Sequence, residues 1–164
     1  DFFKCSTVAV GELTKEWLVR TRRIADRKGI KVVPSLDCRT EEAGIHADKV
    51  LADYTLAVLT DEWLCRIADR GEETQLCLSV EEDGKFVRFT LSTPASLFDM
   101  VQATGLFYPD TAHYPYLLCK EIIREHEKLN NFCGCRINAE TDTNGGCRIW
   151  FTLPITKLTN YETI

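Results

Sequence analysis

With 164 residues, 45% of them hydrophobic, the chain has the size of one ordinary domain and can bury roughly 70% of the surface its unfolded form exposes, so folding requires no disulfide framework. Its formal net charge is -5 and the acids are dispersed, which argues against a nucleic-acid footprint. No apolar run approaches the length needed to cross a bilayer, and the opening DFFKCSTVAV lacks the charged start and long hydrophobic stretch of a secretory signal.

The expected elements follow in chain order. Glu12 to Lys28 carries Leu13, Trp17, Leu18, Ile24 and Ala25 at helical spacing, and Gly29 is a natural stop. Ile30 to Asp37 is rich in β-formers but interrupted by Pro34, which suits an edge strand. Asp48 to Arg70 reads as a second long helix, with Val50, Leu51, Tyr54, Ala57, Val58, Leu64, Ile67 and Ala68 on its apolar side. Thr74 to Glu82 and Lys85 to Ser92 flank Asp83-Gly84, a two-residue hairpin signal. Pro94 to Pro109 is irregular. A helix is expected from Tyr114 to Leu129, then strands at Cys133 to Glu140 and Cys147 to Leu153 joined through Asn144-Gly145-Gly146.

Hairpins separated by helices favour a mixed, mostly antiparallel sheet with its helices on one face, because short hairpins cannot join parallel strands. The fold class expected is a two-layer α/β (α+β) sandwich, and no repeat, linker or low-complexity tract divides residues 1–164 into more than a single domain. The chain starts at Asp1 and holds one methionine, Met100, which suggests a piece of a longer protein with signal input and any membrane anchor upstream.

The eight cysteines (Cys5, Cys38, Cys65, Cys77, Cys119, Cys133, Cys135, Cys147) are scattered through apolar patterns and read as reduced core residues of a cytosolic protein. Cys133 and Cys135 would share one face of a strand with Cys147 opposite, but zinc would need a fourth ligand that the sequence does not offer. His46, His113 and His126 read as surface or helix-end residues without a catalytic role. The basic cluster Arg20, Arg22, Arg23, Arg27 and Lys28 reads as the wet face of the first helix, with docking of an acidic partner as its functional alternative.

The run Tyr116 to Pro154, YLLCKEIIREHEKLNNFCGCRINAETDTNGGCRIWFTLP, resembles the closing part of the histidine-kinase-type ATPase (GHKL, or Bergerat) family. Further matches are EWLVRTRRIADRKGIKV for the opening helix and strand, LSVEEDGKFVRFTL for the central hairpin, and LCKEIIREH with GGCRIWFTLP at the end. These are scaffold matches spread over nearly the whole chain, and the resemblance implies that family's sheet with helices on one face.

The family's ligand boxes are altered. Its second long helix places an acid and, four residues on, a magnesium-holding asparagine; here the pair is Asp61 with Cys65 or Glu62 with Arg66, and neither contains the asparagine. Where the family writes D-x-G-x-G for adenine, this chain has Ser92-Thr93-Pro94-Ala95-Ser96-Leu97-Phe98, in which Thr93 keeps one hydroxyl, Ala95 replaces a glycine, and Leu97 and Phe98 would plug the pocket. The glycine-rich lid becomes Thr111-Ala112-His113-Tyr114-Pro115-Tyr116, with Pro115 lacking an amide donor for phosphate.

The resemblance with these losses implies the ATPase-like domain of a bacterial sensor-histidine-kinase-like protein of two-component signalling, cytoplasmic, and a pseudo-ATPase acting through protein contacts. Its partners would be other domains of the same protein or a response-regulator-like protein, with no nucleic acid and no direct membrane contact. No cofactor is expected. Two alternatives use the same positions: an active histidine kinase domain binding ATP and magnesium through Asp61 or Glu62 and Arg66, and a small-molecule sensor using the vestigial cleft.

Overall fold

The computed structural model describes residues 3–71, 74–109, 114–131 and 134–158. The elements run β1 (Ser6–Ala9), α1 (Val10–Lys28), β2 (Lys31–Leu36), α2 (Cys38–Glu41), β3 (Gly44–Ala47), α3 (Lys49–Asp69), β4 (Gln75–Asp83), β5 (Phe86–Thr93), α4 (Met100–Gly105), α5 (Tyr114–Leu129), β6 (Ile137–Thr141) and β7 (Cys147–Thr156).

The strands form one sheet in the order β1-β3-β7-β5-β4-β2, with β6 also on β7. Only the β2/β4 pairing is parallel among these neighbours, and β2, the strand with Pro34, ends the order at an edge as its sequence requires. One side of the sheet is apolar. Val80 opposes Phe89, and Phe89 opposes and stacks on Phe151 at 5.1 Å between ring centroids; Leu78, Leu91 and Ile149 form the next row. The alternate row Ser79, Thr90 and Trp150 is only half-buried, the period-2 signature of a sheet covered on one face.

The covering helices are α1, α3 and α5. Val10, Leu13, Trp17, Thr21 and Ala25 give α1 a buried stripe, and Trp17 meets Phe89 edge-on at 6.4 Å. The helix stops at Gly29, whose φ of 69° is left-handed and whose N–H returns to Ala25 and Asp26. Asp48 starts α3 by accepting the Leu51 N–H at 3.1 Å. Between α1 and α3, Trp17 Nε1 donates to Thr60 Oγ1 at 2.8 Å deep in the core.

The long helices, the central hairpin and the last hairpin therefore stand where the sequence puts them. Two short strands, β1 and β3, pair antiparallel and extend the sheet beyond β7; neither was expected. β7 also runs past Leu153 to Thr156. Its residues up to Phe151 pair with β6, and those from Ile155 pair with β3, so Pro154 sits where the neighbour changes and its missing N–H costs no ladder bond to either. The strand expected from Cys133 begins instead at Ile137; Cys135 is in the preceding loop, so strand alternation does not pair it with Cys133, which lies outside the described residues.

Candidate functional site

The positions singled out on α3 separate onto two sides of the helix. Asp61 faces α1, where its carboxylate accepts from Arg20 Nη1 at 2.9 Å and Nη2 at 2.7 Å. Cys65, one turn on, is exposed. Glu62 and Arg66 pair at 2.9 Å on the side toward α5, and the Arg66 guanidinium lies 5.6 Å from the ring centroid of Tyr116. Packing thus brings Glu62 and Arg66, rather than Asp61 and Cys65, to the space between α3 and α5.

That space is lined by aromatic side chains. Trp63 is fully buried and meets Phe98 edge-on at 6.0 Å. Tyr116, also fully buried, meets Phe107 edge-on at 6.0 Å. Burial pushes the Tyr116 phenol well above its ordinary pKa; the Arg66 charge opposes this, the Glu62 carboxylate adds to it, and the neighbouring Trp63 indole opposes it. One turn later burial pushes the Cys119 thiol up to about 12, which leaves it an unreactive core group.

The segment after β5 is held inward by local bonds. Thr93 is buried and its hydroxyl accepts the Ala95 N–H at 3.2 Å, and Ala95 is itself buried. Leu97 donates its N–H to Cys147 Sγ at 3.3 Å, and the same thiol donates to the Phe98 carbonyl at 3.4 Å, so β7 fixes the backbone that inserts Phe98. Gly145 and Gly146 make that approach possible: Gly145 takes a φ of 87°, and a Cβ on Gly146 would stand 2.6 Å from Asp142 Oδ2 and 3.0 Å from the Thr93 carbonyl. Asp99 and Gln102 then form a reciprocal capping box that starts α4.

Pro115 is in the first turn of α5 and half-buried, a position that tolerates its missing N–H. Thr111 and His113 lie outside the described residues. His126 corrects a sequence reading: it is in the last turn of α5 but fully buried, not at the surface. Its Nδ1 is 2.8 Å from the Ile122 carbonyl and its Nε2 accepts the Asp48 N–H at 3.0 Å, which assigns the neutral ring with the proton on Nδ1. Asp48 takes a second N–H, from Lys4, at 2.8 Å, and Phe3 meets the imidazole edge-on. Sequence reasoning missed this junction because a lone histidine on a helix carries no periodic signal.

Cys135 and Cys147 are buried. Among the described residues no group of three or more histidine, cysteine or acidic side chains is placed to hold a metal ion. None of the described helices is long and apolar enough to cross a membrane.

No protein-family model and no curated protein sequence matches the chain. Solved structures do. The nucleotide-free catalytic domain of the histidine kinase ThkA aligns with a TM-score of 0.74 at 20% identity, covering 92% of this chain and 95% of that one. ThkA in complex with the response regulator protein TrrA gives a TM-score of 0.75 at 19% identity over 94% of this chain and 42% of that chain. Full-length ShkA in complex with AMPPNP gives 0.72 at 15% identity over 97% of this chain and 33% of that chain. One open, mostly antiparallel sheet with its helices on one side, matched over nearly the full length, gives this chain the fold of the GHKL-type catalytic domains of histidine kinases.

Proposed function

We propose that this domain is a pseudo-ATPase of a bacterial sensor-histidine-kinase-like signalling protein, acting in the cytoplasm through protein contacts and not through nucleotide chemistry. The observation that carries the reading is the occupied space between α3 and α5, where Trp63 with Phe98 and Arg66 with Tyr116 stand in contact. The residues around it do not suit a magnesium nucleotide. Magnesium asks for several oxygen ligands in octahedral array, and the acid facing this space, Glu62, is already paired with Arg66.

The partner class proposed is a response-regulator-like protein or another domain of the same protein, an extension from ThkA, which has been solved with TrrA. A rival reading draws on ShkA, solved with AMPPNP: a nucleotide-binding domain in which Arg66 leaves Glu62 to clamp phosphate. Thermal unfolding with and without ATP and magnesium separates them. At about 1 mM nucleotide the pseudo-ATPase should shift its midpoint by less than about 2 °C, whereas a shift above about 5 °C that disappears in Arg66→Ala would establish the rival.

A further inference from the structure

The α1/α3 surface combines an apolar groove with a set of unpaired cations in one line. The groove, of about 430 Å3, is lined by Trp17, Leu56 and Ala57, with Val50, Asp53 and Tyr54 of α3 and Glu16 and Arg20 of α1 around them. Val50 is 75% exposed and Tyr54 43%, large apolar side chains left on the surface beside the groove.

Along α1, Glu16, Arg20, Arg23 and Arg27 are spaced four, three and four residues apart, so they form a single stripe, of which Glu16 and Arg20 border the groove and Arg23 and Arg27 continue beyond it. Its two halves differ in charge pairing. Glu16 binds Lys49, which also binds Asp53, and Arg20 holds Asp61. Arg23 and Arg27 are exposed and have no ionic partner among the described residues, nor has Arg22 beside them. Cations in the last helical turn offset the carbonyl end of α1, which accounts for Arg27 and Lys28, but Arg22 and Arg23 lie farther from that end. In a chain of net charge -5 these exposed cations form a local positive patch that an acidic partner could match.

We infer that the α1/α3 face is a docking surface for an acidic amphipathic helix, which lays apolar side chains into the groove beside Val50 and Tyr54 and its carboxylates against Arg23 and Arg27. From Glu16 to Arg27 the stripe spans about 17 Å at 1.5 Å per residue, the length of roughly three helical turns. A third helix seated between two packed helices buries an apolar edge in the usual helix-in-groove manner, with charges at the rim setting orientation and encounter rate. The inference rests on the reading that this domain works through protein contacts, and it places one such contact away from the α3/α5 space.

The test uses a fluorescein-labelled synthetic helix of roughly 18 residues, with two leucines one turn apart followed by two turns of glutamate, titrated with the domain by anisotropy at low and high salt. Saturable binding with a dissociation constant on the order of 10–100 µM, weakened about tenfold by R23E/R27E and likewise by Tyr54→Ser, is the expected result. Circular dichroism of each variant confirms that these surface changes leave the fold intact. Equal binding by a peptide with glutamine in place of glutamate, unchanged affinity in both variants, or no binding would overturn the inference. Binding only to anionic lipid vesicles, or self-association of the domain through this face in ultracentrifugation, would overturn it in favour of a membrane or a second copy. None of these readouts involves nucleotide, so ATP binding in a separate titration would sink the pseudo-ATPase reading without touching this one.

Discussion

At the scale of single residues, His126 is the group whose protonation the fold resists most visibly. Burial lowers its pKa first; the neighbouring His46 lowers it further, while the bond to the Ile122 carbonyl and the Asp48 and Glu125 carboxylates act in the opposite sense. A proton on Nε2 would face the Asp48 N–H, donor against donor, and break the contact between α5 and the start of α3. The folded pKa lies below the unfolded value of about 6.5, so the stabilisation is complete above that value and is lost as pH falls through the folded pKa. Proton NMR should therefore find the His126 ring still neutral at about pH 6.5, and the wild type should lose more stability than His126→Leu between about pH 7 and about pH 5. A ring titrating at or above 6.5 would contradict the assignment.

Asp48 belongs to the same junction. Its carboxylate accepts from Leu51 at the start of α3 and from Lys4 of the opening segment, so one side chain caps a helix and ties down the chain before β1. Asp48→Ala should cost about 1–2 kcal/mol in urea unfolding, at the upper end for a cap because two donors lose their acceptor. Asp48→Asn, which retains one acceptor oxygen, should recover part of the loss; equal cost for the two variants would show that capping is not what the residue contributes.

Among the elements, what the sequence revealed and what it hid have physical reasons. α1, α3 and α5 were legible because each places apolar residues on one stripe for four or more turns, and Gly29 and Asp83-Gly84 marked a stop and a turn that only particular backbone angles allow. β1 and β3 are four residues each, too short for an alternating pattern to rise above chance; β3 is a strand because β7 continues past Pro154 to receive it, and β1 because it pairs with β3. The site divided in the same way. Sequence could name two candidate pairs on α3 but could not choose between them, since Asp61 and Glu62 are adjacent and only the positions of α1 and α5 send them to opposite sides. That Phe98 turns inward depends on the thiol of Cys147, some fifty residues away, gripping the backbone on either side of it.

For the whole molecule, the contacts that would close a nucleotide cleft also hold the two layers together. Trp63 packs α3 against the Phe98 segment, fully buried, and truncating it leaves a cavity that its neighbours cannot fill without moving. Trp63→Ala should cost about 3–5 kcal/mol in urea unfolding. A loss under about 1 kcal/mol would mean that the packing seen between α3 and Phe98 contributes little, and that the space opens easily.

Calorimetric titration of the domain with ATP and magnesium asks whether side chains keep a nucleotide out of the space between α3 and α5. The expected dissociation constant is no tighter than about 1 mM, corresponding to about 4 kcal/mol of standard binding free energy. Stoichiometric binding in the micromolar range, abolished by Glu62→Ala or Arg66→Ala, would contradict it.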